Sequence, residues 1–189
     1  MVPRFFFTLF CALALSTVLP GCAASTAGKP VVWKSHEASF ADYRSFEIWP
    51  VFNATDRPLH PSVTATLTTH LQEKFSANQL EVITSPGRVS GVLVVQSDLV
   101  DYLPNVHTNS SMTVWTPGWA RAKCTLRTRL VDKATSQIVA QIVSAKEVNA
   151  GDPGSALGQG NKAHEYVLSV VAGEIAAEVA KLMAVSEVK

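Results

Sequence analysis

Four basic side chains at spaced positions of one segment are the most chemistry-bearing feature of the sequence. Arg121, Lys123, Arg127 and Arg129 fall on one side of it, with Trp119 at their head, while Ala120, Ala122, Cys124, Leu126 and Leu130 fall on the other. Guanidinium groups suit phosphate and carboxylate, so this stripe is a candidate site for an anionic ligand. The alternative is a solvated sheet face whose charges are partly paired with neighbours such as Glu147. A second candidate is the polar stretch 103–117, which follows Tyr102 and carries His107, Met112 and Trp115 among Asn, Ser and Thr. Long loops without structure of their own commonly carry function, and exposed Trp and Tyr are frequent binding anchors. The alternative there is a hairpin tip whose Trp115 folds back onto the sheet.

Other chemistries find little support. The histidines at 36, 60, 70, 107 and 164 show no metal-ligand spacing, so no metal site is expected. No Gly-x-Ser-x-Gly elbow is present. Gly158-Gln159-Gly160 precedes a helical segment but lacks the Lys-Ser/Thr of a phosphate loop. No catalytic residue and no cofactor is therefore expected, and a hydrolase with an unrecognised site stands as an alternative without a positive signal.

The elements that position the stripe follow from periodicity. Alternation over Gly118–Asp132 predicts a half-buried antiparallel strand, and Gln137–Val148 returns as its partner after a turn. Pairing Leu130 with Ile138 sets Leu126 opposite Ile142 and Arg121 opposite Glu147. Ser90–Tyr102 is rich in Val and Leu and reads as a third strand. Upstream, Ser45–Phe52 reads as a first strand and Leu80–Thr84 as a short one. Between them Pro61–Ser76 reads as a helix with Pro61 in its first turn and Val63, Leu67, Leu71 and Phe75 recurring every four residues; Asn78 ends it. Asn161–Val185 reads as a long final helix. Leu67, Leu71, Phe75, Leu126, Val171, Ile175 and Val179 are the expected shared core.

The amino terminus has the layout of a secretory signal: Arg4, an apolar run over Phe5–Val18, then Leu19-Pro20-Gly21-Cys22. The run is short for a transmembrane helix, which needs about 20 apolar residues. With Cys at the cleavage point the segment resembles a bacterial lipoprotein signal. That resemblance implies lipidation of Cys22 with acyl chains and anchoring in the membrane. Ala23, rather than Asp, implies the outer membrane, on its periplasmic face. Removing residues 1–21 takes away one of 16 basic residues and none of the 15 acidic ones. The near-neutral remainder argues against a general polyanion binder, and no nucleic-acid partner is expected. Cys11 leaves with the signal, so Cys124 is the one free thiol of the mature chain, read as a buried structural one.

The order strand, helix, three or four strands, helix predicts an α+β fold. It is a two-layer sandwich, a mostly antiparallel sheet with two helices packed on one face. The expected organisation is a flexible tether over 22–39, a single domain over 40–185 and a tail over 186–189. Phe46–Val51, Leu71–Phe75 and Leu130-Val131-Asp132-Lys133-Ala134-Thr135 resemble the pattern of small bacterial envelope lipoproteins filed as domains of unknown function. The layout is also similar to lipopolysaccharide-assembly lipoproteins that plug an outer-membrane barrel. These resemblances imply a non-catalytic binding or assembly module of the envelope, whose partner is an envelope protein or an anionic glycolipid.

Overall fold

The computed structural model describes residues 28–84, 87, 89–104, 121–149 and 162–186. Among them, seven strands and two helices follow one another as β1 (Val31–Lys34), β2 (Ser45–Ile48), β3 (Phe52–Asn53), α1 (Pro61–Ala77), β4 (Glu81–Val82), β5 (Val92–Leu103), β6 (Arg121–Asp132), β7 (Ile138–Asn149) and α2 (Lys162–Ser186). The sheet order is β1-β7-β6-β5-β2-β4, with β3 also paired to β5. Strands β1, β7, β6 and β5 are antiparallel neighbours. Strands β2 and β3 run parallel to β5, and β4 parallel to β2. The fold is α+β, a mixed and mostly antiparallel sheet with both helices beside it.

Helix α1 forms where the spacing predicts it. Pro61 has no N–H to leave unsatisfied in the first turn, and the His60 ring accepts from the Ser62 amide at 3.3 Å. Leu67, Leu71 and Phe75 are fully buried at successive four-residue steps. Asn78 closes the helix, its side-chain amide donating to the Lys74 carbonyl at 2.8 Å. Gln79 follows in the left-handed region at φ 61° and turns the chain toward β4. Helix α2 buries Val167, Leu168, Val171, Ala172, Ile175, Ala176 and Val179 along one stripe. It packs on β6, β7 and α1.

These helices cover the sheet face formed by Leu93, Val95 and Leu99 of β5, Cys124, Leu126 and Leu130 of β6, and Ala140 and Ile142 of β7. The whole expected core, from Leu67 to Val179, lies in this layer. Phe46 of β2 meets Phe75 edge-on, ring centroids 5.4 Å apart. Two polar pairs cross the same layer without orphaned groups. Ser97 and Thr128 share a hydrogen bond at 2.9 Å, and the Ser144 hydroxyl donates to Glu174 of α2.

Four expectations need correction. The tether was expected to run to residue 39, but Val31–Lys34 pairs with β7 as an edge strand. The single strand over Ser45–Phe52 is two, β2 and β3, because Pro50 between them has no N–H to pair; the Val51 amide turns instead to the Thr68 hydroxyl at 3.0 Å. The β6–β7 register is two residues away from that expected: Leu130 faces Ala140 and Leu126 faces Ser144. The loop between Asp132 and Gln137 holds Ser136 at φ 60°, and an irregularity between Leu130 and Val131 takes up one further residue of β7. A shift of two keeps every side chain on its face, but it sets Arg121 opposite Asn149 and gives Glu147 to Lys123. Tyr102, expected as an exposed anchor, is buried in the core. A bulge at Val100 re-phases β5, so that Tyr102 pairs with Cys124 on the inner face.

The core assignment sets a stability expectation. Phe75→Ala should lower the unfolding free energy by about 3–5 kcal/mol, the usual cost of truncating a large buried aromatic. Urea unfolding followed by circular dichroism measures it. A loss below about 0.5 kcal/mol is the signature of a surface position and contradicts the packing.

Candidate functional site

The sheet face turned away from the helices carries the charged side chains. Strand pairing lays out its rows. Phe52, Asp98, Arg127, Val143 and Val31 are successive neighbours across β3, β5, β6, β7 and β1. Gln96, Arg129, Gln141 and Trp33 form the next row. Asp101 and Lys123 lie further along, Lys123 by the alternation of β6 and Asp101 brought to this face by the same bulge that turns Tyr102 inward.

Asp98 is the hub. Its side chain is only 10% exposed, and its Oδ2 accepts three hydrogen bonds. Arg127 Nε and Nη2 donate at 3.2 and 2.9 Å, and Arg129 Nη2 at 3.0 Å. The fork of Arg127 therefore closes on one carboxylate oxygen, and Arg129 closes on the same atom from one row away. Each guanidinium has five N–H donors; Asp98 takes three of the ten, Arg129 Nε is buried without a partner, and the triad keeps one net positive charge. Lys123 pairs with Asp101 at 2.7 Å.

Two aromatics flank the triad. Trp49 and Phe52 are 46% and 66% exposed, and with Pro50, Asp98, Arg127 and Arg129 they line an open cleft of about 400 Å³. Trp49 is oriented by its indole N–H, which donates to Glu47 at 3.2 Å. Glu47 is in turn paired with Lys133 at 2.6 Å. That hydrogen bond from Lys133 is the main cause holding the Glu47 carboxyl below its usual range. The cleft thus offers an indole, a phenyl ring and two anchored guanidinium groups on one surface.

Of the residues singled out in the sequence, Lys123, Arg127 and Arg129 share this face as expected. Arg121 opens β6 in register with Asn149. Cys22, His107, Trp115 and Trp119 lie outside the described residues. Tyr102 lies in the core, and burial raises its hydroxyl pKa, with Cys124 adding to the effect. Cys124 is buried as read, and burial, followed by the charge of Asp101, pushes its thiol up from 9.0 to about 12. A thiol so far from its thiolate is a poor nucleophile. Sequence reasoning missed Asp98, Asp101, Trp49 and Phe52. A carboxylate within the apolar run Val92–Leu103 is costly unless paired, and that signal pointed to a basic partner strand.

No protein-family model matches the sequence, and no curated protein is similar to it. Solved structures are similar in fold. XCC0632 from Xanthomonas campestris, described by the family model DUF330, aligns over 85% of this chain and 98% of its own with a TM-score of 0.53 at 12% identity. The PelC dodecamer from Paraburkholderia phytofirmans aligns over 77% of this chain and 95% of its own, with a TM-score of 0.51 at 8% identity. The chain shares their fold. Lipoprotein GNA1162 from Neisseria meningitidis aligns more loosely, over 72% of this chain and 98% of its own, at a TM-score of 0.44 and 11% identity.

The buried hub gives a direct test. Asp98→Ala leaves two guanidinium groups facing each other without their shared acceptor. Stability should fall by about 1–3 kcal/mol, the range for groups that lose a charged hydrogen-bond partner. Denaturant titration of the variant beside wild type measures it. A change within about 0.5 kcal/mol places the pairs among ordinary surface ion pairs.

Proposed function

We propose that the chain is a lipid-anchored, non-catalytic module of the bacterial cell envelope whose uncovered sheet face binds an anionic glycan or glycolipid. The observation that carries this reading is the cleft of Trp49, Phe52, Arg127 and Arg129. An indole and a phenyl ring offer flat apolar faces for the C–H side of a sugar ring. Beside them, guanidinium donors suit the carboxylate or phosphate of an acidic sugar. Asp98 fixes both arginines in place before a ligand arrives, which lowers the ordering cost of binding.

The anchor reading rests on Leu19-Pro20-Gly21-Cys22. Acylation of Cys22 with two or more chains makes a stable attachment. Ala23 after the cysteine supports the outer membrane as the destination, which puts the domain in the periplasm beside lipid A phosphates and acidic cell-wall sugars. A second reading is a lipopolysaccharide-assembly factor seated in an outer-membrane barrel. Pull-down of tagged protein from detergent-solubilised envelopes separates the two: a barrel as the main partner favours assembly.

Two outcomes test the proposal. Cys22→Ser should move the protein from the membrane fraction to the soluble periplasm and abolish metabolic labelling with fatty acid. For the cleft, the protein is titrated with lipopolysaccharide and with peptidoglycan fragments at two salt concentrations. One of these ligands should bind, and more weakly at high salt, because exposed charges are screened over about 8–10 Å at physiological ionic strength. Trp49→Ala should weaken that binding about tenfold or more, the size of a modest anchor loss, with stability unchanged. Equal affinities, or no binding by wild type, leave the face as a solvated ion-pair surface.

A further inference from the structure

Strand β1 ends the sheet, and all four of its residues are exposed. Val31 and Trp33 are 70% and 53% exposed, and Val32 stands at the edge between them. Open edge strands are normally blunted by charge, proline or a covering element. The opposite edge follows that pattern: β4 is two residues long, and its Glu81 accepts from Ser45 at 2.9 Å. Strand β1 is short and carries Lys34, with Lys29 and Pro30 directly before it, but it also sets two valines and a tryptophan side by side at the edge. No acidic residue occurs between Gly28 and His36, and Glu37 is the first.

The position of this edge along the chain limits what can cover it. Eight residues separate Cys22 from Val31, a span of at most about 30 Å when fully extended. A domain of this length has a radius of gyration of about 15 Å and is roughly 40 Å across. The tether is shorter than the domain is wide, so an anchored chain keeps β1 on its membrane side. Tryptophan and lysine are the side chains that settle at a membrane–water interface, the ring among the headgroups and the ammonium at their phosphates.

We propose that the β1 edge is a membrane-contacting surface, in which Val31, Val32 and Trp33 enter the headgroup layer while Lys29 and Lys34 meet anionic lipid. This inference rests on the lipidation of Cys22 proposed above. The contact holds the domain edge-on to the bilayer and leaves the cleft of Trp49 and Arg127, on the sheet beyond β7, open to the periplasm.

The test uses the full lipidated protein reconstituted in phosphatidylethanolamine–phosphatidylglycerol vesicles whose acyl chains carry bromine, a quencher of tryptophan emission. Flotation with the vesicles confirms the anchor. The emission lost on changing Trp33→Phe isolates the contribution of Trp33, and the loss in Trp49→Phe isolates that of Trp49. The expected result is quenching and a blue shift of the Trp33 component in brominated vesicles, with the Trp49 component unaffected. Protein that floats with its Trp33 component unquenched overturns the proposal and leaves the anchor standing. If that component is also shielded from aqueous acrylamide, a protein surface, such as a second copy of the chain, covers β1 instead. Protein that fails to float overturns both the anchor and the inference built on it.

Discussion

Strand β6 has to be apolar on one side and charged on the other over twelve residues, and it lies between the two other long strands. Its inner side chains, Ala122, Cys124, Leu126 and Leu130, are fully buried beneath the helices, and that burial fixes which way every other side chain of the strand points. Period-two alternation then obliges Lys123, Arg127 and Arg129 to face away from the core. The neighbouring strands inherit the constraint. Asp98 is tolerable in β5 only because the pairing register delivers Arg127 directly opposite it and Arg129 one row away. The ion-pair hub is thus a consequence of core packing on the other side of the same strand.

The parts legible in the sequence are those governed by local spacing. The four-residue recurrence of Leu67, Leu71 and Phe75 determines α1, and alternation determines β6, so the shared core follows from pattern alone. Features that depend on non-local geometry were not legible. The bulge at Val100 has no sequence signal of its own, yet it decides that Tyr102 is buried and that Asp101 reaches Lys123. The loop before Gln137 sets the β6–β7 register, and a shift of two preserves the faces while exchanging the partners. Strand β1 is four residues long and exposed, so no periodicity distinguishes it from a spacer.

The candidate site divides in the same way. Its arginines stand out because they alternate with apolar residues. Its carboxylates sit in a different strand, and their role appears only when the two strands are paired. Trp49 and Phe52 resemble core aromatics in a strand; Trp49 faces outward by alternation with Ile48, and the break at Pro50 is what turns Phe52 outward. An apolar residue next to a chain break deserves a surface reading as readily as a core one.

The position of α2 after the strands it covers bears on how the protein is made. Its 25 residues supply the lid over β6 and β7, and they leave the ribosome after both strands. Until they arrive, the sheet has nothing over Leu126, Leu130 and Ile142 on those strands, and such apolar surface invites aggregation. Folding cannot finish strand by strand as synthesis proceeds. A chain built in this order cannot complete its core until α2 has been made.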